Sequence, residues 1–137
     1  MIIDDDAALR SILMSARTIA VVGASQKTWR DSYSVLQFLQ RVGYKLYPVN
    51  PAYRQIDSKK CYASLLELPE PIDIVDVFRN PNYVLQVAKD AVAIQAKTIW
   101  FQSGIVNYDA ARVAEKAGLH VVMDRCIRLM YRFLVEQ

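Results

Sequence analysis

Apolar and polar positions alternate between two periods along this chain. "TIAVVG" is a short apolar run rich in β-branched residues, the signature of a buried strand. "SYSVLQFLQRVG" follows, with Val35, Leu36, Leu39 and Val42 at helical spacing and Gly43 as a natural stop. The same alternation continues to the end. "YKLYPVNP" predicts a second strand, broken by Pro51, and "AYRQIDSKK" a polar loop. "ASLLELP" predicts a short helix stopped by Pro69, and "IDIVDVFR" a third strand. Asn80 and Pro81 form a cap-and-first-turn signal for a helix over 81–93. "KTIWFQSG" is a fourth strand, Asn107 caps the helix "YDAARVAEKAG", and "LHVVMD" is a fifth strand. Helices at the two ends, "DDDAALRSILMSA" and "RCIRLMYRFLVEQ", complete the pattern. Acids in the first turn of the opening helix suit its dipole.

Strands separated by helical segments imply βαβ units and a parallel sheet. The expected fold is α/β: a Rossmann-type, doubly wound parallel sheet of five strands in order 3-2-1-4-5, in three α/β/α layers. A chain of 137 residues fits one such domain and buries a core without disulfides or metal. Ligands of these sheets sit beyond the carboxyl ends of the strands, at the switch point between the first strand and the fourth. The strand tips are Gly23-Ala24-Ser25, Asn50-Pro51, Phe78-Arg79, Gln102-Ser103-Gly104 and Asp124-Arg125-Cys126. Of four glycines, Gly23 and Gly104 follow strands, so these two are expected to flank the switch point.

The first tip narrows the chemistry. Gly23 allows a tight turn, and Ser25 and nearby backbone N–H groups can face an anion. A dinucleotide fingerprint has three glycines and an immediate helix; here "GASQKT" has one, and the helix is expected only near Ser32. The longer loop carries Lys27 and Arg30, which suits several phosphates. No carboxylate follows the second strand to take ribose hydroxyls, which argues against NAD.

Composition excludes other classes. The chain is 53% hydrophobic and 23% charged, hence globular, with a formal charge of +3. It has no dense Lys/Arg run or basic arm, so no nucleic-acid partner is expected. No apolar stretch reaches membrane-spanning length, so no membrane partner is expected either. The acidic start "MIIDDDAAL" is unlike a signal peptide, and Cys61 and Cys126 show no C-x-x-C spacing. A cytoplasmic protein with reduced thiols is the expectation. His120 stands alone, no Cys/His/Asp cluster has metal spacing, and no metal site is expected. Cys126 lies at a strand tip near a helix start, a setting that can activate a thiol, although a packed inert thiol is the plainer reading. Trp29 either covers a ligand or anchors its loop. The apolar set from Ile127 to Leu134 reads as core, with a contact for a weak homodimer as the alternative to a monomer.

Five blocks occur in order: "IAVVGAS…RDSY", "GYKLYPVNP", "DIVDVFRNP", "AKTIWFQSGIVN" and "GLHVVMDRC". Together they resemble the small single-domain CoA-binding protein family, similar to the CoA-binding domain of the succinyl-CoA synthetase alpha subunit. The resemblance runs from about Thr18 to Cys126 and implies one CoA-binding Rossmann-type domain over 1–137. It implies coenzyme A or an acyl-CoA as ligand, with Gly23, Ala24, Ser25 and the following loop (Lys27, Arg30, Ser32, Tyr33) at the phosphates. Asn50, Pro51, Phe78 and Arg79 would line the nucleotide side, and Gln102 and Gly104 the fourth tip. Three positions depart from the family pattern: Asp31 in place of proline, Ser103 in place of leucine between Gln102 and Gly104, and Met130 in place of glutamate. The reading is a binding or sensor module without catalysis of its own. The alternatives are an NAD(P)-binding oxidoreductase and an acyl-CoA ligase component acting with a partner subunit.

Overall fold

The computed structural model describes residues 2–136, and in it strands and helices alternate as the pattern predicts. Five parallel strands form the main sheet: β1 (Thr18–Val22), β2 (Lys45–Val49), β5 (Ile74–Val77), β6 (Thr98–Phe101) and β7 (His120–Val122). Five α-helices surround it: α1 (Asp6–Ser15), α2 (Asp31–Arg41), α3 (Val84–Ala93), α4 (Tyr108–Lys116) and α5 (Ile127–Leu134). Asp5 and Asn107 cap α1 and α4 by accepting from the N–H groups of Ala8 and Ala110. Asn80 and Pro81 do open a helical segment, but its first turn, Pro81–Tyr83, is 3₁₀, and α3 starts at Val84. The short helix predicted at Leu65 is a single 3₁₀ turn, Leu65–Glu67.

Each strand sends alternate residues to opposite faces, and both faces are covered. Ala20, Val22, Val75, Val77, Ile99 and Phe101 join one core, shared with α3 and α4. Ile19, Val21, Ile74, Trp100 and Val122 join the other, shared with α1, α2 and α5. This is the expected three-layer sandwich. It explains why β1 and β6 read as apolar runs rather than alternating ones.

Across the main sheet the order is β2-β1-β5-β6-β7. Tyr62 adds a one-residue parallel bridge to Val49 on the free side of β2, held by Tyr62 N–H to Pro48 O and Asn50 N–H to Tyr62 O, both 2.9 Å. Counting that bridge as the third strand gives the Rossmann-type order 3-2-1-4-5, with β7 added as a sixth. The identity of one strand is corrected: "IDIVDVFR" is not the third strand beside β2 but the fourth, beside β1. The switch point therefore lies between β1 and β5, and Gly104, at the end of β6, is one strand beyond it. The polar stretch expected as loop holds a small antiparallel hairpin, β3 (Gln55–Ile56) and β4 (Lys59–Lys60). Ile56 is fully buried and anchors that hairpin.

The amino edge of the sheet is tied by charge. Glu70 takes Arg17 at 3.1 Å, Lys45 at 2.5 Å and the Tyr47 hydroxyl. Bonds from Lys45 first, then Tyr47, hold its carboxyl down to about 2. Asp73 accepts the N–H groups of Arg17 and Thr18 at 2.7 and 3.1 Å and pairs with Lys97 at 3.4 Å.

Candidate functional site

At the tip of β1, Gly23 donates its N–H to Val49 O at 2.9 Å and takes φ +89°. A Cβ there would stand 3.1 Å from the backbone carbonyl of Phe78. Its immediate neighbour is the tip of β5, and the glycine lets the two strand ends converge. Ala24 is fully buried, and its carbonyl accepts from Asn50 Nδ2 at 2.8 Å. Asn50 Oδ1 accepts the Ala52 N–H at 2.9 Å, so its amide bonds on both sides. Ser25 Oγ accepts the Lys27 N–H at 3.0 Å and lies 3.3 Å from the Tyr53 hydroxyl. Gln26 Nε2 reaches Gln55 O at 2.5 Å. The loop after β1 is thus pinned to the segment after β2.

These tips enclose a cleft of about 680 Å³. Of the site residues named from the sequence, Gly23, Ser25, Lys27, Arg30, Ser32, Asn50, Phe78, Arg79 and Gln102 line it. Four expected residues do not. Ala24 is buried behind the turn, and Tyr33 donates its hydroxyl to Asp57 at 3.0 Å instead. Pro51 lines a neighbouring pocket, and the Gly104 N–H is turned to Asp124 Oδ1 at 2.7 Å. Residues absent from the expected set also line the cleft, notably Tyr53, Ile105 and Arg128, together with Trp29 and Cys126. Arg128 stands in the first turn of α5, and its guanidinium donates to Ser34 Oγ at 3.0 Å. The signal that could have found it is its place just past the last strand tip, where a helix start faces the same edge as the first.

The electrostatics favour an anion. Lys27, Arg30, Arg79 and Arg128 line the cleft against one carboxylate, Asp31. The amino ends of α2 and α5 open on it as well, and unpaired helix N–H groups with an aligned dipole attract negative charge. Gln102, nearly buried, accepts the Ile127 N–H at 3.0 Å and so locks the start of α5 to the tip of β6. Beside the cleft lies a smaller pocket of about 360 Å³, walled by Val22, Val49, Pro51, Leu65, Tyr83 and Val87. Arg79 borders both, its guanidinium 5.5 Å from the Tyr83 ring centre. A groove of about 640 Å³ at the amino edge contains Asp73 and Lys97, already paired to each other, and offers no comparable charge. Among the described residues no group of three His, Cys, Asp or Glu side chains could hold a metal, and no helix is long and apolar enough to cross a membrane.

Known proteins resemble this chain in sequence and fold. The chain is 37% identical over 125 residues to the uncharacterized protein YneT of Bacillus subtilis, covering 91% of this chain and 93% of that protein. It is 28% identical over 127 residues to the ADP-forming acetate–CoA ligase of Methanocaldococcus jannaschii, covering 83% of this chain but 17% of the ligase. A hypothetical protein from Pyrococcus horikoshii superposes with a TM-score of 0.94 at 38% identity, over 96% of this chain and 93% of that one. The model of the CoA binding domain family matches residues 17–132, from the start of β1 into α5. The chain belongs to the CoA-binding domain family.

Proposed function

We propose that this protein binds coenzyme A or an acyl-CoA at the carboxyl edge of the sheet, as a binding or sensor module without catalysis of its own. One observation carries the reading: a cationic cleft and an apolar pocket meet at Arg79. Coenzyme A has the matching halves. Its adenine suits the pocket of Val22, Val49, Leu65 and Val87. Its phosphates suit Ser25, Lys27, Arg30 and Arg79, with the backbone of Gly23 and the start of α2. Its pantetheine arm then runs along the cleft towards α5.

NAD fits less well. Its adenosine ribose is usually held by a carboxylate after the second strand. Here Asn50 holds that place, and both ends of its amide bond to backbone. Ligase chemistry belongs to proteins of which this chain spans a small part, 17% of the acetate–CoA ligase, and a ligase component acting with a partner subunit is the second reading. Titration calorimetry with CoA, acetyl-CoA, NAD, NADP and ATP tests the reading. CoA is expected to bind more tightly than NAD, and the reverse order would overturn the proposal.

A further inference from the structure

We infer that Trp29 is a ligand-covering residue, which packs over the pantetheine arm and not over the nucleotide; the inference rests on the CoA reading above. Trp29 lines the cleft, yet 76% of it is exposed to solvent. Trp100, by contrast, is fully buried and donates its indole N–H to Arg125 O at 2.8 Å. An indole held at the mouth of a cleft gains apolar contact only when something enters beside it.

The loop around it is built to present that ring. Its first part is fixed by Lys27 N–H on Ser25 Oγ and Gln26 Nε2 on Gln55 O. Its end is fixed where Arg30 N–H bonds Lys27 O at 3.0 Å and α2 begins. Thr28 and Trp29 form the apex between these pins. Lys27 and Arg30 lie on either side of Trp29 in the sequence and line the same cleft, so a phosphate held by them brings the next part of the ligand to the ring.

The fold decides which part that is. The apolar pocket proposed for adenine is walled by Val22, Val49 and Leu65, all in the core on the α3 and α4 face. Trp29 leads into α2, whose Val35 lines the cleft and belongs to the opposite core, as Phe78 does. Adenine and indole therefore lie on different sides of the sheet edge. The extended amide arm is the part of the ligand that crosses to the side of Trp29.

The test uses the whole protein, with CoA and adenosine 3′,5′-bisphosphate as probes. Tryptophan emission of the wild type minus that of Trp29→Ala isolates the signal of Trp29. CoA is expected to shift that signal to the blue, and the bisphosphate to leave it in place. Trp29→Ala should weaken CoA about two- to tenfold, the worth of one aromatic contact, and change bisphosphate affinity less than about twofold. CoA that binds by calorimetry while the Trp29 signal stays fixed overturns the inference alone. Equal losses for both probes also overturn it. Absence of CoA binding by the wild type overturns the CoA reading and the inference together.

Discussion

Gly23 and Asp76 show how single positions set the geometry beneath the cleft. At Gly23, positive φ and the carbonyl of Phe78 both resist a side chain. Gly23→Ala is expected to cost about 1–3 kcal/mol, the usual range for a side chain forced into such a backbone. Chemical denaturation measures the loss, and CoA affinity should fall with it as the tips of β1 and β5 move apart. Asp76, two residues before Phe78, is fully buried, and neither carboxylate oxygen has a hydrogen-bond partner among the described residues. Its register neighbours are Val21 and Trp100. Burial pushes its carboxyl well above the ordinary range, so the folded protein holds a proton that the unfolded chain releases. Stability therefore falls as pH rises from the ordinary aspartate value of about 4 towards the folded value, with a limiting slope of about 1.4 kcal/mol per pH unit. Asp76→Asn should flatten that slope and raise the melting temperature at pH 8. A variant with an unchanged slope would show that Asp76 is ionised in the fold. The acid in "IDIVDVFR" was visible in the sequence, but its burial was not. Only the place of β5 between β1 and β6 encloses it.

At the scale of elements, legibility followed periodicity. Central parallel strands announce themselves as apolar runs, and α2 and α4 by helical spacing and their stops at Gly43 and Gly118. The hairpin of β3 and β4 has one buried apolar residue, Ile56, among polar neighbours, and so resembles a loop. Tyr62 pairs through a single residue, too short for any period. With Tyr62 beside β2, β5 is the fourth strand, and the switch point lies by Phe78 and not by Gly104. The start of α5 gives a further expectation. Cys126 lies at its N-cap and lines the cleft, whereas Cys61 is buried, its thiol pushed up by desolvation and donated to Asn50 O. Iodoacetamide should modify Cys126 in the free protein and Cys61 far more slowly. Saturating CoA should protect Cys126. Labelling at the same rate with and without bound CoA, followed by peptide mass spectrometry, would place the ligand away from α5.

Over the whole molecule, charge is divided between the two sheet edges. At the amino edge Glu70 and Asp73 bind Arg17, Lys45 and Lys97 and hold strand starts together. At the carboxyl edge Lys27, Arg30, Arg79 and Arg128 form no ion pair among the described residues. The sequence pointed to most of the cleft because every strand tip contributes to it, and tips are found once strands are found. Tyr53 and Arg128 lie beyond the tips and need the packing of the hairpin and of α5 to bring them in. The same packing closes the sides of the sheet. Tyr62 occupies the outer side of β2, and Ile2 bridges to Val121 on the outer side of β7, with Ile3 N–H on Val121 O at 2.8 Å. Exposed strand borders are templates on which other chains polymerise. Each border here already carries a short plug, so crowding cannot readily knit these molecules into fibrils strand by strand.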